Sequence, residues 1–192
     1  MKKIWEREMW MVLGFLAGCF ALGLLGGILF ANLAYPWRNG QNQMLYALTQ
    51  IKNKTGKSAE YFWYLLENRM FAVAFFLLTG LTGAARFIVV VAAAWMGFLA
   101  GAAGSLLILE QGIRGVWTFA GSLFPQMIVY FPAVALLMTK IYKERGNIWK
   151  KPVKVIKIYL LTGTAVIFLC LAGVVLEAYV HPVWMRWLLE HV

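Results

Sequence analysis

From Met9 to Ala34 the chain carries no charged residue, a run long enough to cross a bilayer core of about 30 Å as a helix. Apolar runs return four more times, at 66–85, 87–109, 116–140 and 158–180. The second is short by itself and reaches spanning length only with the aromatic turns from Tyr61 that precede it. Ser58 is placed to cap that helix. Only Arg86 separates the second run from the third, which predicts a tight helical hairpin eased by Gly80 and Gly83. The longest polar connection is 36–60, where Met44, Leu45, Ala47, Leu48 and Ile51 keep a short helical period. After Pro182, the stretch 183–191 reads as a short amphipathic tail lying at the interface. The pattern predicts an all-α polytopic membrane protein of five transmembrane helices, forming one domain over 1–192.

The fourth run departs from a plain span. Pro125 and Pro132 stand seven residues apart, two helical turns, and so share a face. Each removes a backbone donor and presses on the carbonyl four residues back. A membrane helix tolerates this where neighbours re-satisfy the freed groups. The expectation is a bent fourth helix packed by others, with Gln126 and Tyr130 bonding neighbouring helices or freed carbonyls; a ligand-binding role is the alternative. The first helix carries Gly14/Gly18 and Gly23/Gly27 at i, i+4 spacing, and the third carries Gly97, Gly101 and Gly104, so both are expected to offer small-residue packing faces.

Composition strengthens the membrane reading. Hydrophobic residues make up 62% and charged residues 14%, with a mean hydropathy of +0.71. A soluble domain has about 45–50% and about 25%. The net charge is +10, but its lysines and arginines flank apolar runs, which points to topology signals and anionic lipid contact and away from nucleic acid. The most basic connection, 140–157, is expected in the cytoplasm, which puts the N-terminus and Arg86 inside and the C-terminal tail outside. Leu16-Ala17-Gly18-Cys19 is similar to a lipoprotein lipobox, yet the apolar run continues past Cys19, so a retained helix fits better. Cys19 and Cys170 both lie in apolar runs and read as small buried hydrophobes.

Ionisable groups within spans are functional candidates by default. Glu177 is the foremost, with His181 one turn on at i+4: a proton relay or partner site, or an interfacial pair near the end of the span, which the position favours. Glu67 and Arg69 are too close in sequence to pair along one helix face and read as markers of the membrane boundary. No nucleophile–base–orienter set, phosphate loop or metal spacing occurs, so the expectation is a protein that is not an enzyme and takes no cofactor. Two classes remain: a membrane scaffold, and a small transporter or permease-like subunit, which proline-broken helices and an intramembrane carboxyl would suit. No inverted repeat accompanies the latter.

Three stretches together resemble the stage II sporulation protein M family of endospore-forming bacteria. They are the connector Gln111-Gly112 with Gly115; the run from Leu123 to Ala133 with Pro125, Gln126, Tyr130 and Pro132; and Glu177-Ala178-Tyr179-Val180-His181-Pro182. The second is similar to the family's Leu-Pro-(His/Gln)-Gly-(apolar)-(apolar)-Glu-(apolar)-Pro-Ala pattern, and the third to its Glu-Ala-Tyr-x-x-Pro ending. Met127 stands where the pattern often has glycine, and Tyr130 where many members have glutamate. The resemblance implies a multi-pass protein of the bacterial cell membrane. It would be the integral scaffold of the engulfment machinery, recruiting stage II sporulation proteins D and P, which degrade peptidoglycan.

Overall fold

The structure, a computed structural model, describes residues 2–35, 58–144 and 153–191. The connection around Met44–Ile51 and the centre of the basic connection lie outside the described residues. The helices are α1 (Lys2–Ala34), α2 (Ser58–Thr79), α3 (Ala85–Gln111), α4 (Ile113–Leu123), α5 (Met127–Glu144), α6 (Val153–Val175) and α7 (His181–His191). A single π-helical turn, Leu176–Val180, joins α6 to α7. No strand occurs among the described residues. Among the described residues, four helices are long and apolar enough to cross a membrane, Met9–Ala34, Ala59–Thr79, Ala85–Gln111 and Val155–Leu188. They become five if the α4–α5 pair, bent by 65° at its break, counts as one span.

The all-α polytopic expectation holds, and three of its details change. The α2–α3 connection is the turn 80–84, with Thr82 N–H and Ala85 N–H closing on Thr79 and Thr82 carbonyls, and Arg86 already lies in α3. The kink of the fourth span is a true break between two helices, at 124–126, with Pro132 accommodated inside α5. The last helix does not stop before Pro182. Proline cannot donate to a carbonyl one α-turn back, and its ring crowds that carbonyl. Here the preceding turn is widened, with His181 N–H bonding Leu176 O five residues back, and the helix continues through the proline. The stretch 183–191 is therefore not a detached interfacial tail: Met185 and Leu188 are buried, packing with Leu107 of α3 and Phe119 of α4.

α1 and α3 run parallel and form the closest pair. A Cβ added at Gly23 would meet the Ala94 carbonyl, and one at Gly27 the Phe98 carbonyl; from the other side, Gly97 and Gly101 face the Phe20 and Leu24 carbonyls. Backbones can approach this closely only where no side chain intervenes, which is how small residues drive helix association in lipid. Asn32 Nδ2 donates to Ser105 Oγ at 3.0 Å and Tyr35 Oη to Leu109 O at 3.3 Å, continuing the same register. Only half of the small-residue expectation for α1 applies, because Gly14 and Gly18 meet nothing within 4 Å.

The main core draws Leu16 from α1, Ala85, Val89 and Ala93 from α3, Ala133, Leu137 and Ile141 from α5, and Tyr159 and Val166 from α6. One end of the bundle is braced by polar contacts to backbone: Tyr159 Oη donates to Leu77 O at 2.7 Å and Arg86 Nε to Tyr142 O at 3.2 Å. The Arg86 guanidinium also lies over an aromatic face, at 5.3 Å from the Tyr142 ring centroid. Toward the other end lie two smaller clusters, Leu107/Met185/Leu188 and Leu65/Val174/Ala178.

Candidate functional site

α2 and α6 pack antiparallel: Leu77 meets Tyr159, whereas Leu65 meets Val174 and Ala178. Side chains lean toward the N-terminus of their own helix. Arg69 on α2 and Glu177 on the π turn therefore lean toward each other. Arg69 Nη2 donates to Glu177 Oε1 at 2.8 Å and to Oε2 at 3.2 Å, and Nε donates to Oε2 at 3.3 Å, a forked charge-assisted contact. Tyr130 Oη, from the first turns of α5, donates to Oε2 at 2.8 Å. The guanidinium carbon stands 5.1 Å from the Tyr130 ring centroid, a cation–π contact within the same cluster. The Glu177 side chain is 8% exposed and that of Arg69 45%.

Room for this arrangement comes from Gly173, one α-turn before Glu177. A Cβ there would collide with the Tyr130 ring. The π turn is the second local device. An extra residue per turn swings the polar side chains off the helix's regular apolar face, which is why such turns recur at functional sites.

Beside the ion pair, the broken end of α4 presents carbonyls with no helical partner. Trp184 Nε1 donates to Gly121 O at 3.1 Å. His181 Nε2 lies 3.0 Å from Ser122 O and Gln126 Nε2 3.2 Å from the same oxygen. A carbonyl only accepts, so His181 carries its proton on Nε2. Gln126 in the break and Tyr130 on α5 thus face His181 and Glu177 across the junction. Gln126 Oε1 is buried and has no protein partner, leaving it open to a donor such as water.

Sequence reasoning placed several of these residues well. Gln126 and Tyr130 do bond a neighbouring helix and a carbonyl freed at the break, as their spacing predicts. Glu177 and His181, expected to face each other, are instead each engaged by other helices. Glu177 takes the cation and phenol from α2 and α5, and His181 takes the α4 carbonyl. Arg69 is no mere boundary marker, since it crosses to a partner 108 residues away.

The remaining motif residues lie elsewhere. Gln111, Gly112 and Gly115 build the α3–α4 corner. Gly112 adopts φ 61°, a conformation other residues rarely hold, and Gly115 lets α4 press on the Leu107 carbonyl. Thr118 Oγ1 donates to Gln111 Oε1 at 2.9 Å, tying the corner shut. Tyr179 is half-exposed against Phe62, and Pro182 sits in the first turn of α7. Chemically, the Glu177 carboxylate is engaged at both oxygens, with Oε2 receiving three donors and Oε1 one. A carboxylate held from two other helices in this way ties those helices together. No family model, curated protein or solved structure matches this chain.

Proposed function

We propose that the protein is a multi-pass membrane scaffold of the stage II sporulation protein M kind, which recruits or localises peptidoglycan-degrading partners during engulfment. The observation that carries this reading is the state of Glu177. Glu177, the one buried carboxylate among the described residues, is matched by Arg69 and Tyr130 of the same chain, so its charge serves the architecture. The motif residues that resemble the family fall at or beside the α3–α4 corner, the α4–α5 break and the π turn, three irregular points of the bundle. Such points give a scaffold its particular shape.

In this reading the basic end of the bundle, with Arg86 and the connection after α5, faces the cytoplasm, and α7 lies on the outer side, where partners that act on peptidoglycan work. A permease-like role is the second reading. It draws on the bent α4–α5 pair, whose broken-helix carbonyls and unpartnered Gln126 Oε1 resemble the polar breaks of transporters.

Affinity capture of the tagged protein from sporulating cells separates the two. Co-purification of stage II sporulation proteins D and P supports the scaffold. Solute uptake by the purified protein in vesicles, with neither hydrolase recovered, overturns it. Within the scaffold reading, Pro132→Ala alters recovery of the partners more than the amount of protein in the membrane. Equal recovery from mutant and parent would refute that role for Pro132.

A further inference from the structure

Two of the paths linking the halves of the bundle are interrupted side by side. One is the break at 124–126 between α4 and α5, and the other is the π turn 176–180 between α6 and α7. The interruptions are stitched to each other by Tyr130 to Glu177 and by His181 to Ser122 O. Beyond them, α4 and α7 pack together with the last turns of α3 around their own small cluster of Leu107, Met185 and Leu188. Before them, α5 and α6 belong to the main core with α1 and the first half of α3. α3 itself runs through both halves without interruption.

From this geometry we infer that the break and the π turn form one joint. About it the cap of α4 and α7 swings relative to the body, with α3 as the post and the Arg69–Glu177–Tyr130 cluster as the latch. Helix breaks and single π turns are the places where a helix absorbs changes in backbone angle. A lone break would merely loosen one helix. Two at the same level let both strands of the cap move together, pivoting on α3 at Leu107, the residue that their own cluster shares with it. The latch sits where it has most leverage. Glu177 lies within the π turn, Tyr130 lies just past the break, and Arg69 anchors both to α2, which belongs to the body. Opening would expose His181, Gln126 and the ends of α4 to the surroundings. The joint stands independently of the scaffold reading.

Paired spin labels test this in lipid nanodiscs, using full-length protein with Cys19→Ser and Cys170→Ala. One pair spans the joint, at the exposed positions Phe71 on α2 and Val183 on α7, and a second pair, Phe71 and Leu136, stays within the body. The parent should give one distance for each pair. Glu177→Gln and Tyr130→Phe should each add a second population across the joint, displaced by about 5 Å or more, while the body pair is unmoved. Tyr35→Phe, which removes a hydroxyl bond between the end of α1 and α3 that is no part of the latch, should change neither. A single unshifted distance across the joint in Tyr130→Phe, which keeps the ion pair and so folds even where Glu177→Gln does not, overturns the inference. Equal broadening of both pairs overturns it as well, because the bundle would then be loosening throughout.

Discussion

Arg69 and Glu177 are unequal members of their pair. The carboxylate is buried whereas the guanidinium is half-exposed, so losing one is not the mirror of losing the other. Arg69→Met strands a charge in an apolar interior and is expected to cost about 3 kcal/mol. Glu177→Gln leaves an arginine that can turn toward headgroups or water, and it is expected to cost about 1 kcal/mol. Unfolding in mixed micelles measures both, and a larger loss for Glu177→Gln would contradict the assigned burial. Gly173→Ala should behave like loss of the tyrosine bond, since the added methyl evicts the Tyr130 ring. At this scale the sequence revealed the players and concealed their pairing. Glu177, Tyr130 and Gln126 stand out as polar groups in apolar runs. Arg69 sits beside Glu67 and Asn68 and looks like part of a polar boundary, and only tertiary contact distinguishes the three.

Among the elements, the α1–α3 contact makes a clear distinction between glycines of one helix. Gly27→Ala and Gly101→Ala place a methyl against backbone carbonyls, which cannot yield as a side chain can, and each should lose about 1–3 kcal/mol. Gly14→Ala and Gly18→Ala meet open space and should be neutral or slightly stabilising, through helix propensity alone. Thermal unfolding of the four variants in detergent checks the ordering, and equal losses would refute the contact. Run lengths alone made the helices legible, because an uncharged stretch of spanning length has few other fates. Their ends were less so. The Pro182 stop was misread since the compensating π turn leaves no compositional trace, and the i, i+4 glycine spacing cannot tell which pair will meet a partner.

Across the whole molecule, the parallel α1–α3 pair and the antiparallel α2–α6 pair fix an up–down alternation that matches five crossings. With the basic end inside, an alkaline phosphatase fused after α7 should be active and one fused after α5 inactive. The reverse pattern would invert the topology proposed above. The latch also imposes an order of events on synthesis. Arg69 and Glu177 are separated by 108 residues, so at about 5–20 residues per second the arginine spends on the order of 5–20 s in the membrane before its counter-charge has been translated. During that interval the arginine turns toward headgroups or water and α2 lacks its tie to the π turn, a tie that a chain halted before α6 never gains. Such a truncated chain, ending at residue 150, should be cleared quickly by membrane proteases. Arg69→Leu should lengthen its half-life in a pulse–chase experiment while shortening that of the full-length protein. On that expectation the same side chain that braces the finished bundle marks an unfinished one.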